Sequence, residues 1–473
     1  MSSPIPRRWL RWVLVAVALL LLALGGTVAF VLLHSPGNVS HPNLSFTAPS
    51  TTSTTAALTP KKRKKVIDNF EWPRYGFDAQ RTRQFSARGL YPPFHRGWSF
   101  EDGALIEFPP VIHQNTLYFV DDDGSAKAID KRTGHKLWEH HVGTLAAASP
   151  AIGVPQNLLF VTVLSDHDHT PGGGSIKALS LKNGHQVWSK PIPAGTESSP
   201  IAYGNTVYFG DQGGTVWALN AHNAHVDWTY HASSAVKGGP AISDGILYFG
   251  DYGGRAYAVN ARNGHQVWAV STNGARFGFG SGNFYATPAV AFGRVYMGNT
   301  DGRVYSFAAR TGQLAWATGT GAYVYSSAAV ADVPGMGPTI YLGSYDGNFY
   351  AFDARSGAIR WKHASGNRIS GSPTVVNNVV YYSTLGAKVT FGLDYRTGRK
   401  VFTFGDGAFT PVVADPGAIY LTGYSKLYQL IPNKRHPAAA AAAAHHAKRK
   451  VSHGKSRAKA KAKHPKASHH KKK

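Results

Sequence analysis

A phrase of 22 residues, LYFGDYGGRAYAVNARNGHQVW at 247–268, stands forty residues after a near copy of itself, VYFGDQGGTVWALNAHNAHVDW at 207–228. A period of this length means units that cannot bury their apolar faces alone and must stack on their neighbours. The phrase ends at Trp138, Trp188, Trp228, Trp268, Trp316 and Trp361, and Phe402 closes a seventh copy. Ten positions before each aromatic is a small residue: Ala128, Ala178, Ala218, Ala258, Ser306, Ala351 or Gly392. Four positions before it is a Gly, with Ala224 the exception. A Pro opens most units, at Pro110, Pro150, Pro200, Pro240, Pro288, Pro373 and Pro411, and Ala328 opens the odd one.

Each unit reads as four strands. PAISDGILYFG alternates apolar and polar residues around a Ser-Asp-Gly turn, which predicts an antiparallel pair. DYGG is a tight turn, RAYAVN a third strand, NARNG a second turn and HQVW a short outer strand. The last unit (410–433) has three strands and no terminal aromatic, whereas Trp98 in FHRGWSF stands 40 residues before Trp138. Trp98 is therefore expected on the missing fourth strand, closing the ring without frayed edges. The fold expected is all-β, an eight-bladed β-propeller of four-stranded antiparallel blades closed by an N-terminal strand around Trp98, with one N-terminal transmembrane helix.

The motif A-x-[DN]-x-x-[TNS]-G-x-x-x-W, as in AIDKRTGHKLW, AVNARNGHQVW and AFDARSGAIRW, resembles the repeat of the pyrroloquinoline-quinone (PQQ)-like propellers. The leader FEWPRYGFDAQRTR is similar to the segment that precedes the first blade in many of them. The likeness runs over about 70–431 in seven in-register copies; WD40 and kelch patterns fit less well. It implies the propeller fold but not one function, because the family holds both quinoprotein dehydrogenases and non-enzymatic scaffolds, such as the lipoprotein of the outer-membrane β-barrel assembly machinery.

Charge divides the chain into a neutral body and basic ends. Of 50 Lys and Arg, eight lie in 1–65 and fourteen in 432–473, with no acid in either segment. The 28 that remain in 66–431 face 25 Asp and Glu. Residues 12–33 are 22 uncharged residues, enough at ~1.5 Å each to cross a ~30 Å hydrocarbon core. Arg7, Arg8 and Arg11 precede them and the next Lys or Arg is Lys61, so the positive-inside rule puts the N-terminus in the cytoplasm and the propeller outside. An uncleaved anchor fits better than a signal peptide, since the apolar stretch exceeds a ~7–15-residue core and no small-x-small site follows. With no Cys there is no lipoprotein anchor. The organisation expected is 1–11 cytoplasmic, 12–33 a transmembrane signal anchor, 34–65 a disordered Ser/Thr/Pro linker ending in KKRKK, 66–431 the propeller, and 432–473 a disordered Ala/Lys/His-rich tail. The linker is expected to hold the propeller away from the bilayer. The tail reads either as a tether to anionic polymers or headgroups or as a solvated tail; no specific nucleic acid is expected.

Little of the chain resembles a catalytic constellation. A quinoprotein dehydrogenase needs PQQ, usually Ca²⁺ held by acidic and amide side chains, a catalytic carboxylate and aromatic surfaces around the quinone. Of eleven Trp, seven end blades and two belong to the membrane segment, leaving Trp72 and Trp217 to stack on a flat ring. Asp123, Asp211, Asp251, Asp301 and Asp346 all fall in the turn between second and third strands, where a structural role is expected. No cofactor is expected; PQQ and Ca²⁺ belong to the alternative.

Three insertions interrupt the repeat. SDHDHTPGGG (165–174) offers Asp166, His167, Asp168 and His169 as weak metal candidates, although adjacent ligands cannot all face one ion and an exposed polar loop fits better. The 269–287 insertion offers Arg276, Phe277, Phe279, Phe284 and Tyr285, residue types of binding hot spots. DVPGMGP (332–338) belongs to the opposite face by strand order. The expected function is a membrane-anchored, extracytoplasmic, non-catalytic binding scaffold for a protein or cell-envelope polymer, the alternative a PQQ-dependent dehydrogenase. Deleting 437–473, which carries twelve Lys and Arg and no acid, should abolish most binding to anionic vesicles without moving the propeller's melting temperature. That binding should fall steeply between 0.1 and 1 M salt, as screening shortens from ~10 to ~3 Å; salt-independent binding would assign it to the blades.

Overall fold

The small residue and the aromatic that define the repeat face each other across the two outermost strands of seven blades. The registers Ala128↔Trp138, Ala178↔Trp188, Ala218↔Trp228, Ala258↔Trp268, Ser306↔Trp316, Ala351↔Trp361 and Gly392↔Phe402 are all present. In each of these seven blades a register shift follows directly after the small residue, a bulge that twists the outer strand. These relations come from a computed structural model, which describes residues 13, 15–22, 37–49, 68–166, 173–272, 282–409 and 412–433.

Eight antiparallel blades result. Blade 4 is typical: Ala241–Ser243, Ile246–Gly250, Arg255–Asn260 and Gln266–Ser271 run from the axis outward. The eighth takes Phe94–Glu101 as its outer strand, paired antiparallel with Lys426–Pro432. Asp211 and Asp251 cap their turns by accepting the N–H of Thr215 and Arg255, each at 2.8 Å. In blade 1 this role belongs to Asp121, which accepts from the Ser125 N–H at 2.9 Å, and Asp123 is exposed.

Neighbouring blades are locked through the aromatics. Each indole N–H crosses to a carbonyl of the next blade: Trp98 to Lys131, Trp138 to Leu181, Trp188 to Ala221, Trp228 to Ala261, Trp268 to Ala309, Trp316 to Ala354 and Trp361 to Tyr395, at 2.8 to 3.2 Å. The repeat's Gly lies under the ring of the preceding blade. At Gly264, where φ is +72°, a Cβ would come within 2.7 Å of the Trp228 ring. Trp316 is the most buried of these rings, because an extra strand, Val39–Ser40, pairs beside it.

That extra strand corrects the expectation that 34–65 has no fixed structure. Residues 37–49 lie along the edge of blade 5, pairing Val39 with Ala317 and Ser40 with Trp316. The buried Arg294 guanidinium donates to the carbonyls of Leu44 at 2.8 Å and Pro42 at 3.1 Å, and its plane lies over the Phe46 ring. Leu44 and Phe46 pack on a core cluster of blades 5 and 6. The polar composition hides three apolar anchors, Val39, Leu44 and Phe46, and a buried cation that needs carbonyl acceptors. Among the described residues no helix is long and apolar enough to cross a membrane. Residues 13 and 15–22 of the expected span are helical, and the rest of 12–33 lies outside the described residues.

The leader does more than precede blade 1: it closes the central channel. Inner-strand N–H groups of blades 2, 4, 5, 6 and 7 donate to its carbonyls, Ile152 to Pro73, Ile242 to Ala79, Val290 to Gln80, Val330 to Thr82 and Val375 to Arg83, at 2.7 to 2.9 Å. Glu71–Trp72 adds antiparallel to blade 1, and Gln84–Phe85 adds parallel to blade 7. The inner edges of six blades, which would otherwise face a water-filled hole, are thereby bonded by one segment. Replacing Trp316 by Ala should cost about 3–5 kcal/mol, through lost transfer energy and a cavity. Trp217→Ala should cost clearly less, since that ring is only half-buried. Denaturant titration of both variants checks this, and equal losses would contradict the lock.

Candidate functional site

Above the leader, on the face of the blade-to-blade connections, the channel widens into a cavity of about 260 Å³. Its floor is built by residues two positions before the inner strands begin, such as Ser199 before Ile201 and Ser327 before Ala329. The N–H of Ser149 donates to Ser199 Oγ at 3.1 Å and that of Gly239 to Thr287 Oγ1 at 3.1 Å. Thr287 N–H donates to Ser327 Oγ and Ser327 N–H to Ser372 Oγ, both at 2.9 Å. These hydroxyls stitch one blade to the next around the axis. The Tyr75 hydroxyl reaches up from the leader to Ser372 Oγ at 2.7 Å.

Two buried cations hold the floor from below. The Arg81 guanidinium donates to the carbonyls of Ser199, Pro200, Pro240 and Tyr75, joining blades 3 and 4 to the leader. Arg83 donates to the carbonyls of Arg81 at 2.8 Å and Ala328 at 3.2 Å, and lies 4.6 Å from the centre of the Tyr75 ring. Burial pushes both below the usual guanidinium range, and Arg74 and Arg83 add repulsion at Arg81. Their charge is spent on carbonyl dipoles, not presented to the cavity.

The walls come from the position four residues before these inner strands begin: Glu107, Glu197, Lys237, Tyr285, Tyr325 and Ser370. Lys237 Nζ pairs with Glu197 Oε1 at 2.6 Å and lies 4.9 Å from the centre of the Tyr252 ring. Gln212 Nε2 also donates to Glu197, at 3.1 Å. Tyr252, Tyr285, Tyr325 and Tyr345 form a run of rings with centroid spacings of 6.1, 5.6 and 4.9 Å. Burial raises the Glu107 carboxyl to about 7, helped by the charges of Asp122 and Glu197. Burial likewise holds the Tyr285 phenol well above its usual value. The site presents flat aromatic faces, hydroxyls and a weakly ionised acid.

The sequence candidates divide. Tyr285 lines the cavity, its hydroxyl 3.4 Å from Glu197 Oε2. Phe284, expected to bind, is instead fully buried, its ring 5.9 Å from Tyr305 and 6.4 Å from Phe307; it fills the joint between blades 4 and 5. Arg276, Phe277 and Phe279 lie outside the described residues, as do His167, Asp168 and His169. Asp166 is not on an exposed loop tip but buried, accepting from Ser175 Oγ at 2.7 Å and paired with Lys177 Nζ at 2.9 Å. Among the described residues no group of three His, Asp or Glu is placed to hold a metal. Trp72 is core, and Trp217 donates to Asp211 Oδ2 at 2.8 Å; neither lines the cavity. Glu107, Glu197, Lys237 and Tyr325 were missed because they sit in copies of ordinary length. The signal was the column four before the strand, which changes chemistry from blade to blade.

The model of the family described as outer membrane protein assembly factor BamB matches the chain at 98–201, 122–329 and 300–427, spanning all eight blades. This chain belongs to that PQQ-like propeller family. Among solved structures it is similar to BamB from Moraxella catarrhalis, at 15% identity over 72% of this chain and 100% of that one, with a TM-score of 0.59. It is similar also to the quinohemoprotein alcohol dehydrogenase of Comamonas testosteroni, at 12% identity over 78% and 81% of the two chains (TM-score 0.62). The designed Ika8 protein matches at 17% identity over 72% and 99% (TM-score 0.59). At such identities the likeness is one of fold. No curated protein matches the sequence.

Family membership leaves the cavity chemistry to this chain's own residues, and Glu107 tests it. An acid raised from 4.5 to about 7 on folding binds its proton more tightly in the folded state, so its contribution to stability falls as pH rises between those values. Glu107→Gln should therefore raise the melting temperature at pH 8, by about 2 °C or more, and leave it nearly unchanged at pH 4. A variant equally stabilised at both pH values would show that the effect is packing and not charge.

Proposed function

We propose that this protein is a membrane-anchored, extracytoplasmic binding scaffold that catalyses nothing, and that its ligand site is the tyrosine-lined mouth above the leader. The observation that carries the proposal is the run of Tyr285, Tyr325 and Tyr345 beside Glu197 and Lys237, over a channel whose bottom is closed. Tyrosine gives large contact area at low entropic cost, together with a polar tip. A closed floor suits a side chain or chain end entering from one side. The ligand is a segment of a protein or of a cell-envelope polymer. The span 12–33, with Arg7, Arg8 and Arg11 before it, supports an anchor with the N-terminus inside and the propeller outside. The basic tail, 432–473, supports a second, electrostatic contact with polyanions. The assembly-factor description of the matching family is consistent with a binding role.

The alternative, a PQQ-dependent dehydrogenase, fits the residues less well. PQQ is a tricarboxylate, yet the described cavity lining holds two acids, Glu107 and Glu197, against a single cation, Lys237. That cation is already paired with Glu197, and Arg81 and Arg83 are committed to carbonyls below the floor. No indole lines the cavity to cover a flat ring.

Tyr285→Ala combined with Tyr325→Ala should lower crosslinked capture of the envelope partner at least tenfold in intact cells, with little change in melting temperature. Undiminished capture would move the site off the funnel. If PQQ with Ca²⁺ instead raised the ectodomain's melting temperature by several degrees and supported dye reduction, the dehydrogenase reading would replace this one.

A further inference from the structure

The strap formed by residues 37–49 fixes more than the edge of blade 5. Its first residues end at one particular corner of the propeller. The Gly37 carbonyl accepts from Arg303 Nη1 at 3.3 Å, and Asn38 Oδ1 accepts from the Gly319 N–H at 3.0 Å. Arg303 and Gly319 are register partners at the end of blade 5 that leads into the connection to blade 6. That end lies on the face where the cavity opens. The strap then runs away from it: His41 N–H donates to the Ala315 carbonyl at 2.6 Å, Ser40 Oγ to that of Ser356 at 2.7 Å, and Thr47 N–H to that of Phe292 at 3.0 Å. Arg355 adds a bond to the Pro42 carbonyl at 3.2 Å. A segment with this many bonds and three half-buried apolar anchors is a fixed part of the propeller, not a spacer.

The apolar span ends at residue 33 and the strap begins at Gly37. Four Cα steps, at ~3.3–3.6 Å each, reach no further than about 14 Å. If 12–33 crosses a membrane, the cavity-face corner of blade 5 is held within that distance of its surface. The residues exposed at this corner suit a headgroup layer. Tyr323, 54% exposed, rises from the connection that follows Gly319, and Tyr345 lies next to it with Arg368 over its ring. Tyr is favoured at the membrane–water interface, and Arg is drawn to anionic headgroups.

We infer that the propeller is docked on its own membrane through the cavity-face rim of blades 5 and 6, with Tyr323 and Arg368 in the headgroup layer, so that the funnel opens beside the bilayer. The inference rests on the anchored reading proposed above and adds an orientation to it. Its ligand would then be met at the membrane surface.

The chain has no Cys, so single fluorescent labels can be placed on the full-length protein without removing any. Three sites suffice: Tyr323→Cys, Arg310→Cys on the opposite face of blade 5, and Asp123→Cys on the cavity face of blade 1, across the ring. All three positions are exposed. The protein is reconstituted into vesicles of phosphatidylcholine and phosphatidylglycerol carrying a headgroup spin label. Quenching at position 323 should exceed that at 310 and 123 several-fold. Inserting twenty Gly and Ser residues between Ser35 and Pro36 should bring it down towards the other two, while the protein still floats with the vesicles. Equal quenching at all three sites in floating protein would overturn the orientation and leave the anchor standing. Quenching at 323 that survives the insertion would overturn the tether as its cause. Failure to float would overturn the anchored reading and this inference together.

Discussion

Everything in this propeller depends on one contact made seven times: the indole at the end of a blade donating to a carbonyl of the next blade while its ring covers that blade's turn glycine. Eight sheets packed side by side have apolar faces that could slide, since dispersion and burial have no direction. The indole N–H gives the joint a direction. Trp268, for instance, donates to the Ala309 carbonyl, and Gly312 leaves just enough room for its ring. Ala258 opposite and the bulge after it let the large ring turn outward from its own sheet. The exceptions are informative. Ala224 adopts a positive φ of 59° without being Gly, so the joint enforces a conformation that the residue itself disfavours. Phe402 has no N–H, and its ring packs edge-on against Phe94 at 5.6 Å, beside the strand that enters blade 8.

A ring locked at its circumference still has a hole at its centre, and the leader fills it. The cost is that two guanidinium groups are buried completely. Buried charge is tolerated only where hydrogen bonds replace water, and Arg81 obtains four carbonyl acceptors from two blades and the leader itself. The same arrangement makes the cavity possible. Without the plug the residues on the cavity wall would line a through-channel; with it they surround a blind funnel whose floor is tied to Tyr75.

The edge of blade 5 shows the same logic at the outside of the ring. An outer strand presents unpaired backbone groups to solvent, and on blade 5 the strap covers them while Arg294 draws the carbonyls of Leu44 and Pro42 inward. A Ser-, Thr- and Pro-rich composition is a fair sign of a segment without a core of its own. It says nothing about whether a neighbouring surface offers one.

The sequence by itself determined the blade count, the strand order within a blade and the identity of the joints, because these are periodic: seven copies of a Trp, a small residue and a Gly leave one geometry that satisfies all of them. It also held the cavity walls, in the column four residues before the inner strands, but an unaligned reader is drawn to the long insertions instead. Phe284 shows why that fails, since an aromatic in a lengthened loop is as useful to the core as to a partner. What only the tertiary structure decided is whatever depends on residues far apart in the chain and outside the repeat. The leader becomes a plug because the inner strands of six blades converge on its backbone. The strap docks because Arg294, some 250 residues away, needs acceptors. Such contacts leave no periodic trace. Hydrogen bonds to backbone carbonyls place almost no demand on the side chains that supply them.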